Sequence, residues 1–215
     1  PRRRGHSTLT PHPPRASPSS PSSPFFFKAR LVEESLAFFN GNAPNVVVFA
    51  AGVGRFGNVA AASISDFDLQ FKTNVRGVFL WIRLVVPRMV ASGGGQIVSI
   101  NSVAGVWQLP GEGLYCATKH ALRAMMTCLR GEMKAGRTGV KVGSIRPGAI
   151  ATPWWTEAAR GGRVVSDSAL PKMLAPAAVA DACMAIVNQA PSSDIESILI
   201  EPVRGMETID ASEWR

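Results

Sequence analysis

The sequence predicts an α/β fold: a parallel sheet, doubly wound, with helices on both faces. Three observations predict it. Short apolar runs alternate with longer segments of helical period along most of the chain. Residues 46–51 form a continuous apolar run, the pattern of a strand covered on both faces. At 215 residues and 46% hydrophobic composition, the chain can bury one sizeable core.

Taken in order, the elements follow from local chemistry. The first 24 residues hold seven prolines and six serines, a composition that cannot build a central strand, so a disordered Pro/Ser/Arg-rich tail is expected over 1–24 and a folded domain over 25–215. Residues 25–40 read as a helix stopped at Asn40-Gly41. Ser63, Ser65 and Asp66 mark the next helix start, with Asp66 and Asp68 where the helix dipole favours negative charge. Phe71, Val75, Val78, Phe79, Ile82, Val86 and Met89 then recur at helical spacing, and Gly93-Gly94-Gly95 ends the run. Residues 96–100 return as a strand. Leu122, Met125, Met126, Leu129 and Met133 mark the apolar face of the following helix, a core or subunit contact. A strand at 140–145, a helix from Pro176 to about Asn188 and a strand at 195–200 complete the alternation.

Composition excludes several function classes. The net charge of +8 is concentrated at the front: residues 1–32 carry six of the 23 basic residues and no acid, leaving 17 against 15 afterwards. A nearly neutral domain is no nucleic-acid binder. Cys116, Cys128 and Cys183 lack CxxC spacing and are odd in number, which points to a reducing compartment. His6, His12 and His120 offer no metal constellation. No apolar run reaches the 18 or more residues that span a bilayer, because Arg83, Pro87 and Arg88 interrupt the best candidate. The Arg2-Arg3-Arg4 run with its acid-free, serine-rich continuation has the composition of an organelle transit peptide, of a misread upstream reading frame, or of a plain disordered tail; cytoplasm and organelle both stay open.

The chemistry resides in one constellation. Tyr115, the only tyrosine in the chain, and Lys119 lie four residues apart, on one face of a helix, and follow Ser102 by 13 and 17 positions. A free phenol, with a pKa of about 10, exchanges protons too reluctantly at neutral pH, and an ammonium within about 4–6 Å favours the phenolate. Tyr115 is then the general acid or base acting on a carbonyl or alcohol, Lys119 tunes it, and the Ser102 hydroxyl holds the reacting oxygen. Hydride must come from a cofactor, since no side chain supplies one.

On these residues the chain resembles the short-chain dehydrogenase/reductase family, from about Asn45 to Pro202. Phe49-Ala50-Ala51-Gly52 is similar to the family's Asn-Asn-Ala-Gly strand end, with both asparagines replaced. Asn74 falls where the family has a helix asparagine that holds a water in the proton relay. The segment 97–105 matches the strand and loop ending in the active-site Ser102, and Tyr115 and Lys119 follow. In 146–153 the Pro147-Gly148 turn, Ile150 and Thr152 match the segment meeting the nicotinamide end of the cofactor. The resemblance therefore implies a Rossmann-like fold and an NAD(P)-dependent oxidoreductase interconverting a ketone or aldehyde and an alcohol. Asn74, Ser102, Tyr115 and Lys119 are its expected catalytic residues, and Ala51, Gly52, Tyr115, Lys119, Pro147, Gly148, Ile150 and Thr152 are expected to bind NADP or NAD. No metal is implied. The partners are a small carbonyl or alcohol substrate and, by resemblance alone, further copies of the chain paired through helices 66–90 and 115–135.

The family's Gly-rich pyrophosphate turn has no counterpart in the 48 residues ahead of Phe49, so the first strands are expected to be missing and the 46–51 strand to be an exposed edge. Gly52-x-Gly54-x-x-Gly57 spells a dinucleotide fingerprint but lacks a helix opening there, and reads as the turn after a strand. Trp107, Leu109, Leu114, Trp154 and Trp155 flank the reaction centre and point to an apolar or aromatic substrate, or else cover the sheet. The segment 152–176, with Gly161-Gly162 inside it, reads as a mobile lid. Two further readings stand beside the enzyme: a non-catalytic binding module of the same fold, and a truncated product that is unstable or blind to the cofactor.

Overall fold

The computed structural model describes residues 42–156 and 164–203, together with Glu34 and Ala37, both helical. The expected tail at 1–24, the rest of the helix at 25–40 and the Gly161-Gly162 pair lie outside the described residues. Four parallel strands, β1 (Val46–Phe49), β2 (Gly95–Ile100), β3 (Val140–Pro147) and β4 (Ser197–Ile200), form one sheet in chain order. In register, Val47 faces Ile97 and Ile97 faces Val142.

Between β1 and β2 run α1 (Ile64–Phe71), a π-helical stretch (Lys72–Gly77) and α2 (Val78–Ala91). α1 starts at Ser63 because its hydroxyl accepts the Asp66 N–H at 3.0 Å, satisfying a donor that the helix leaves orphaned. α2 ends in the glycine run. A Cβ on Gly94 would stand 2.6 Å from the Gly139 carbonyl oxygen, so the turns before β2 and β3 pack backbone against backbone, and φ at Gly94 is +136°. α3 (Gly113–Ala135) joins β2 to β3, and α4 (Pro176–Val187), with its proline in the first turn, joins β3 to β4.

Both faces of the sheet are covered. On one, Val85 and Met89 of α2 and Leu122, Met126 and Leu129 of α3 close over Ile97 and Val142, with Val47 and Phe49 packed alongside. On the other, Val179 and Ile186 of α4 close over Val98 and Ile145. The strands advance in one direction while α4 lies on the face opposite α2 and α3, so the β3–α4–β4 crossover has the opposite hand to the two before it. Residues between β3 and α4 therefore pass over the carboxyl end of the sheet, where the site lies. Ser99 and Ser144, partners across β2 and β3, satisfy each other in the core with their hydroxyls 2.5 Å apart.

β1 departs from the two-faced strand expected at 46–51. It is shorter and uncovered on one face, with Val46 and Val48 39% and 46% exposed, while its place at the edge of the described sheet is the one expected. The alternation arises because α4 lies over the strands further in, so only Val47 and Phe49 find a core. Among the described residues, no helix is long and apolar enough to cross a membrane.

The two cores share β2 and β3, so buried side chains of these central strands should weigh heavily in stability. Ile97→Ala, at a site 1% exposed, is expected to cost about 2–5 kcal/mol in urea unfolding. A loss below about 1 kcal/mol would mean that the face packed by α2 and α3 is not a close-packed core.

Candidate active site

The carboxyl ends of β1, β2 and β3 open onto a cavity of about 280 Å³. β2 delivers Ser102, which leaves the strand in extended conformation and caps a short 3-10 turn (Val103–Gly105), its hydroxyl accepting the Ala104 N–H at 3.1 Å. The first turn of α3 delivers Tyr115. One turn on, Lys119, only 4% exposed, donates from Nζ to the Ile100 carbonyl at 3.1 Å. The same ammonium lies 5.6 Å from the centre of the Tyr115 ring. The three residues read from spacing alone thus line one cavity.

Their electrostatics correct the sequence expectation. Burial, not the ammonium, dominates the Tyr115 phenol and pushes it well above its ordinary 10.0, helped by the Glu112 carboxylate and opposed by a hydrogen bond with Ser102. Burial also lowers Lys119 to about 8. Both shifts share one cause, since a dehydrated cavity disfavours either charge.

Asn74 is not on the cavity wall. It lies in the π-helical stretch and is 1% exposed. Both amide hydrogens are taken, by the Val53 carbonyl at 2.8 Å and the Thr118 hydroxyl at 3.0 Å, and its oxygen accepts the Val53 N–H at 2.9 Å. The Thr118 hydroxyl in turn donates to the Tyr115 carbonyl at 2.8 Å. The Asn74 side chain thereby ties the loop after β1 to the helix carrying Tyr115 and Lys119, and its oxygen, which has a second lone pair, lies beside Gly52, as the Lys119 ammonium does.

Of the residues expected to bind a cofactor, Gly52, Tyr115, Lys119, Pro147, Gly148, Ile150 and Thr152 line this cavity. Ala51 does not: it borders a separate hollow of about 660 Å³ between β1 and residues 72–81, which every residue from Val47 to Ala51 lines. Leu109, Trp154 and Trp155 line the site, whereas Trp107 is 43% exposed and, like Leu114, lies outside the lining.

Spacing did not find Thr118, Glu112, Asn101 or Phe56. Asn101 is 2% exposed, and neither polar atom of its side chain has a protein partner, which marks a place for an ordered water. Phe56 meets the Tyr115 ring edge-on at 6.0 Å and 72°, and lies parallel to Trp155 at 6.3 Å. Trp154 sits 5.5 Å from the Tyr115 ring. Its indole is seated on Gly54, where a Cβ would come within 2.6 Å of it. Gly52 to Gly57 is thus a turn: its glycine makes room for an indole, Gly57 N–H donates to Gly111 O at 2.7 Å, and only a short 3-10 turn (Val59–Ala61) follows. The apolar-then-glycine pattern made Phe56 invisible, since a lone phenylalanine in a loop carries no periodic signal.

The family described as short chain dehydrogenase matches this sequence over residues 35–161. The chain belongs to that family. A sepiapterin reductase of Chlorobaculum tepidum is 28% identical over 155 residues, which cover 72% of this chain and 60% of the relative. An uncharacterized oxidoreductase of Staphylococcus haemolyticus is 28% identical over 159 residues, covering 74% and 64% respectively. The chain therefore spans about 60% of the length of these curated relatives. Among solved structures of the same fold, the serine dehydrogenase of Escherichia coli superposes with a TM-score of 0.65 at 27% identity, covering 82% of this chain and 72% of its own. The alcohol dehydrogenase of Thermococcus sibiricus, complexed with 5-hydroxy-NADP, gives 0.69 at 22% identity, covering 81% and 69%. The short-chain dehydrogenase fold places the carboxyl ends of these strands at the cavity described above.

Two measurements test the site. Asn74→Leu leaves the Val53 amide and carbonyl without partners, and should cost about 1–3 kcal/mol in urea unfolding and speed hydrogen exchange at Val53. Lys119 sets a pH signature. Its folded pKa of about 8 lies below the ordinary 10.5, so between these values the unfolded chain binds more protons and the Lys119 contribution to stability rises with pH. Raised Tyr115, Cys116 and Cys183 act in the opposite sense at the alkaline end, where the folded state keeps protons the unfolded chain has lost. The difference between wild type and Lys119→Met isolates the lysine: it should shift in favour of wild type from pH 8 upward, and a flat difference refutes the buried ammonium.

Proposed function

We propose that the protein is an NAD(P)-dependent oxidoreductase that interconverts a ketone or aldehyde and an alcohol. The observation that carries this reading is the convergence of Ser102, Tyr115 and Lys119 on one open cleft at the carboxyl end of a parallel sheet, where such folds bind ligands. Family membership and the serine and alcohol dehydrogenases of the same fold support it.

The cavity suits the nicotinamide end of the cofactor. Its volume, about 280 Å³, lies just below the range of about 300–1,000 Å³ usual for ligand sites. Gly52, Pro147, Gly148, Ile150 and Thr152 would hold that end, with Lys119 beneath; among the described residues no Gly-rich turn opens an α-helix for the pyrophosphate. When bound, NAD(P) supplies or takes the hydride.

The chain's own groups do the rest. A phenol kept protonated by burial is suited to the general-acid role: Tyr115 donates its proton to the carbonyl oxygen as negative charge develops there. Ser102, whose hydroxyl lines the same cavity beside the phenol, fixes the oxygen so that the proton travels along one line. Lys119, poised near pH 8, carries positive charge beside the phenolate left behind and compensates it as it forms. The cation thus acts on the charged state and does not need to ionise the resting phenol. Asn74 contributes by holding the loop after β1 in place.

Reduction of a panel of carbonyl compounds with NADPH and with NADH tests the proposal. Tyr115→Phe should lower kcat by about 10²–10⁴-fold with an unchanged circular dichroism spectrum, and Ser102→Ala should lower it as well. Full activity in Tyr115→Phe would sink the mechanism.

A further inference from the structure

We propose that a second cleft, between α3 and the neighbouring strands β3 and β4, is a binding site for a phosphate group. It shares no lining residue with the cavity of Tyr115 and does not depend on the oxidoreductase reading.

The cleft has a volume of about 380 Å³ and is lined by three arginines, Arg123 and Arg130 from α3 and Arg146 from β3, against one acid, Glu196. Positions 123, 127 and 130 recur at helical spacing, so one side of α3 delivers both of its arginines and the Thr127 hydroxyl. Only one of the three arginines is compensated. Arg130 donates to the Asp194 carboxylate at 2.6 Å and lies 3.6 Å from that of Glu196, while Lys134 reaches Asp194 at 2.9 Å. Among the described residues no carboxylate pairs with Arg123 or Arg146. Arg146 is the more exacting case. Its guanidinium is half-buried, donates to the Ser197 hydroxyl and keeps its Nε buried without a partner. A guanidinium drawn partly out of water with no counter-charge is destabilising, and a bound anion relieves it.

Two uncompensated cations match a dianion. A phosphate ester carries a charge of about −1.5 to −2 at pH 7 and three acceptor oxygens, whereas a carboxylate carries one charge and would leave the second guanidinium unmatched. Guanidinium groups grip phosphate through paired N–H donors, and the Thr127 and Ser197 hydroxyls stand in the same lining to serve the remaining oxygens. The volume falls within the range of about 300–1,000 Å³ usual for ligand sites, so a small phosphate ester fits as well as the free ion.

Calorimetric titration of the whole chain with inorganic phosphate and with glycerol 3-phosphate, at constant ionic strength and with acetate as the singly charged control, tests the site. One phosphate should bind per chain, with acetate weaker by about tenfold or more, as the loss of a charge-assisted contact requires. Arg123→Met and Arg146→Met should each weaken phosphate binding by about tenfold or more. Arg83→Met removes the same charge from α2, outside the cleft, and should leave the affinity unchanged. If Arg146→Met does not fold, Arg123→Met, on an exposed helix position, decides alone. Tighter binding of glycerol 3-phosphate assigns the site to a phosphate ester; equal or tighter binding of the free ion assigns it to inorganic phosphate. The site is overturned by the absence of saturable phosphate binding, by acetate binding as tightly, or by an equal loss in Arg83→Met, which is the mark of diffuse attraction to a basic surface.

Discussion

The site depends on one buried amide. Asn74 bonds at once to the loop after β1, through Val53, and to α3, through Thr118, so three segments far apart in sequence hold one another at fixed spacing. Gly52 and Gly54 belong to the first segment, Tyr115 and Lys119 to the last. Without that amide, Val53 would bury an unpaired donor and acceptor, a cost large enough to open the loop. The π-helical stretch containing Asn74 is where an otherwise regular helix yields to admit it; such interruptions are frequent at functional sites.

Around that tie, dehydration does more to the chemistry than pairing does. A cation four residues from a phenol invites the reading that it makes the phenol acidic. In the folded chain the same burial that brings the two together raises the phenol and lowers the ammonium. Charge is expensive for both until something in the site develops charge of its own. In the proposed mechanism that moment is proton transfer, when the phenolate appears beside the ammonium. The arrangement stores its electrostatic stabilisation for the transition and does not spend it on the resting state.

The crossover into α4 places the rest. Because it runs on the face opposite α3, the chain after Pro147 crosses the top of the sheet, carrying the Pro147–Thr152 segment, Trp154 and Trp155 over the cavity. The bond from Leu174 N–H to the Ala149 carbonyl and that from Ala151 N–H to the Leu174 carbonyl pin this passage. A turn on one side and a crossing on the other then meet through Gly54 and Trp154.

The order of strands and helices, the start of α1 at Ser63 and the Ser102, Tyr115, Lys119 constellation were legible in the chain, because period, capping chemistry and spacing along a helix are local properties. The edge position of β1 was legible too, but its one uncovered face was not, since an apolar run reports what a strand can bury and not whether a neighbour arrives to cover it. Nor were the amide bonds of Asn74, the hollow that Ala51 borders, the placement of Phe56 or the direction in which the phenol titrates. Those depend on which groups meet across long stretches of sequence and on how much water they exclude when they do. The sequence by itself determined which elements form and which side chains could do chemistry; the tertiary structure alone decided their separations and their dehydration, because both come into being only when the helices close over the sheet.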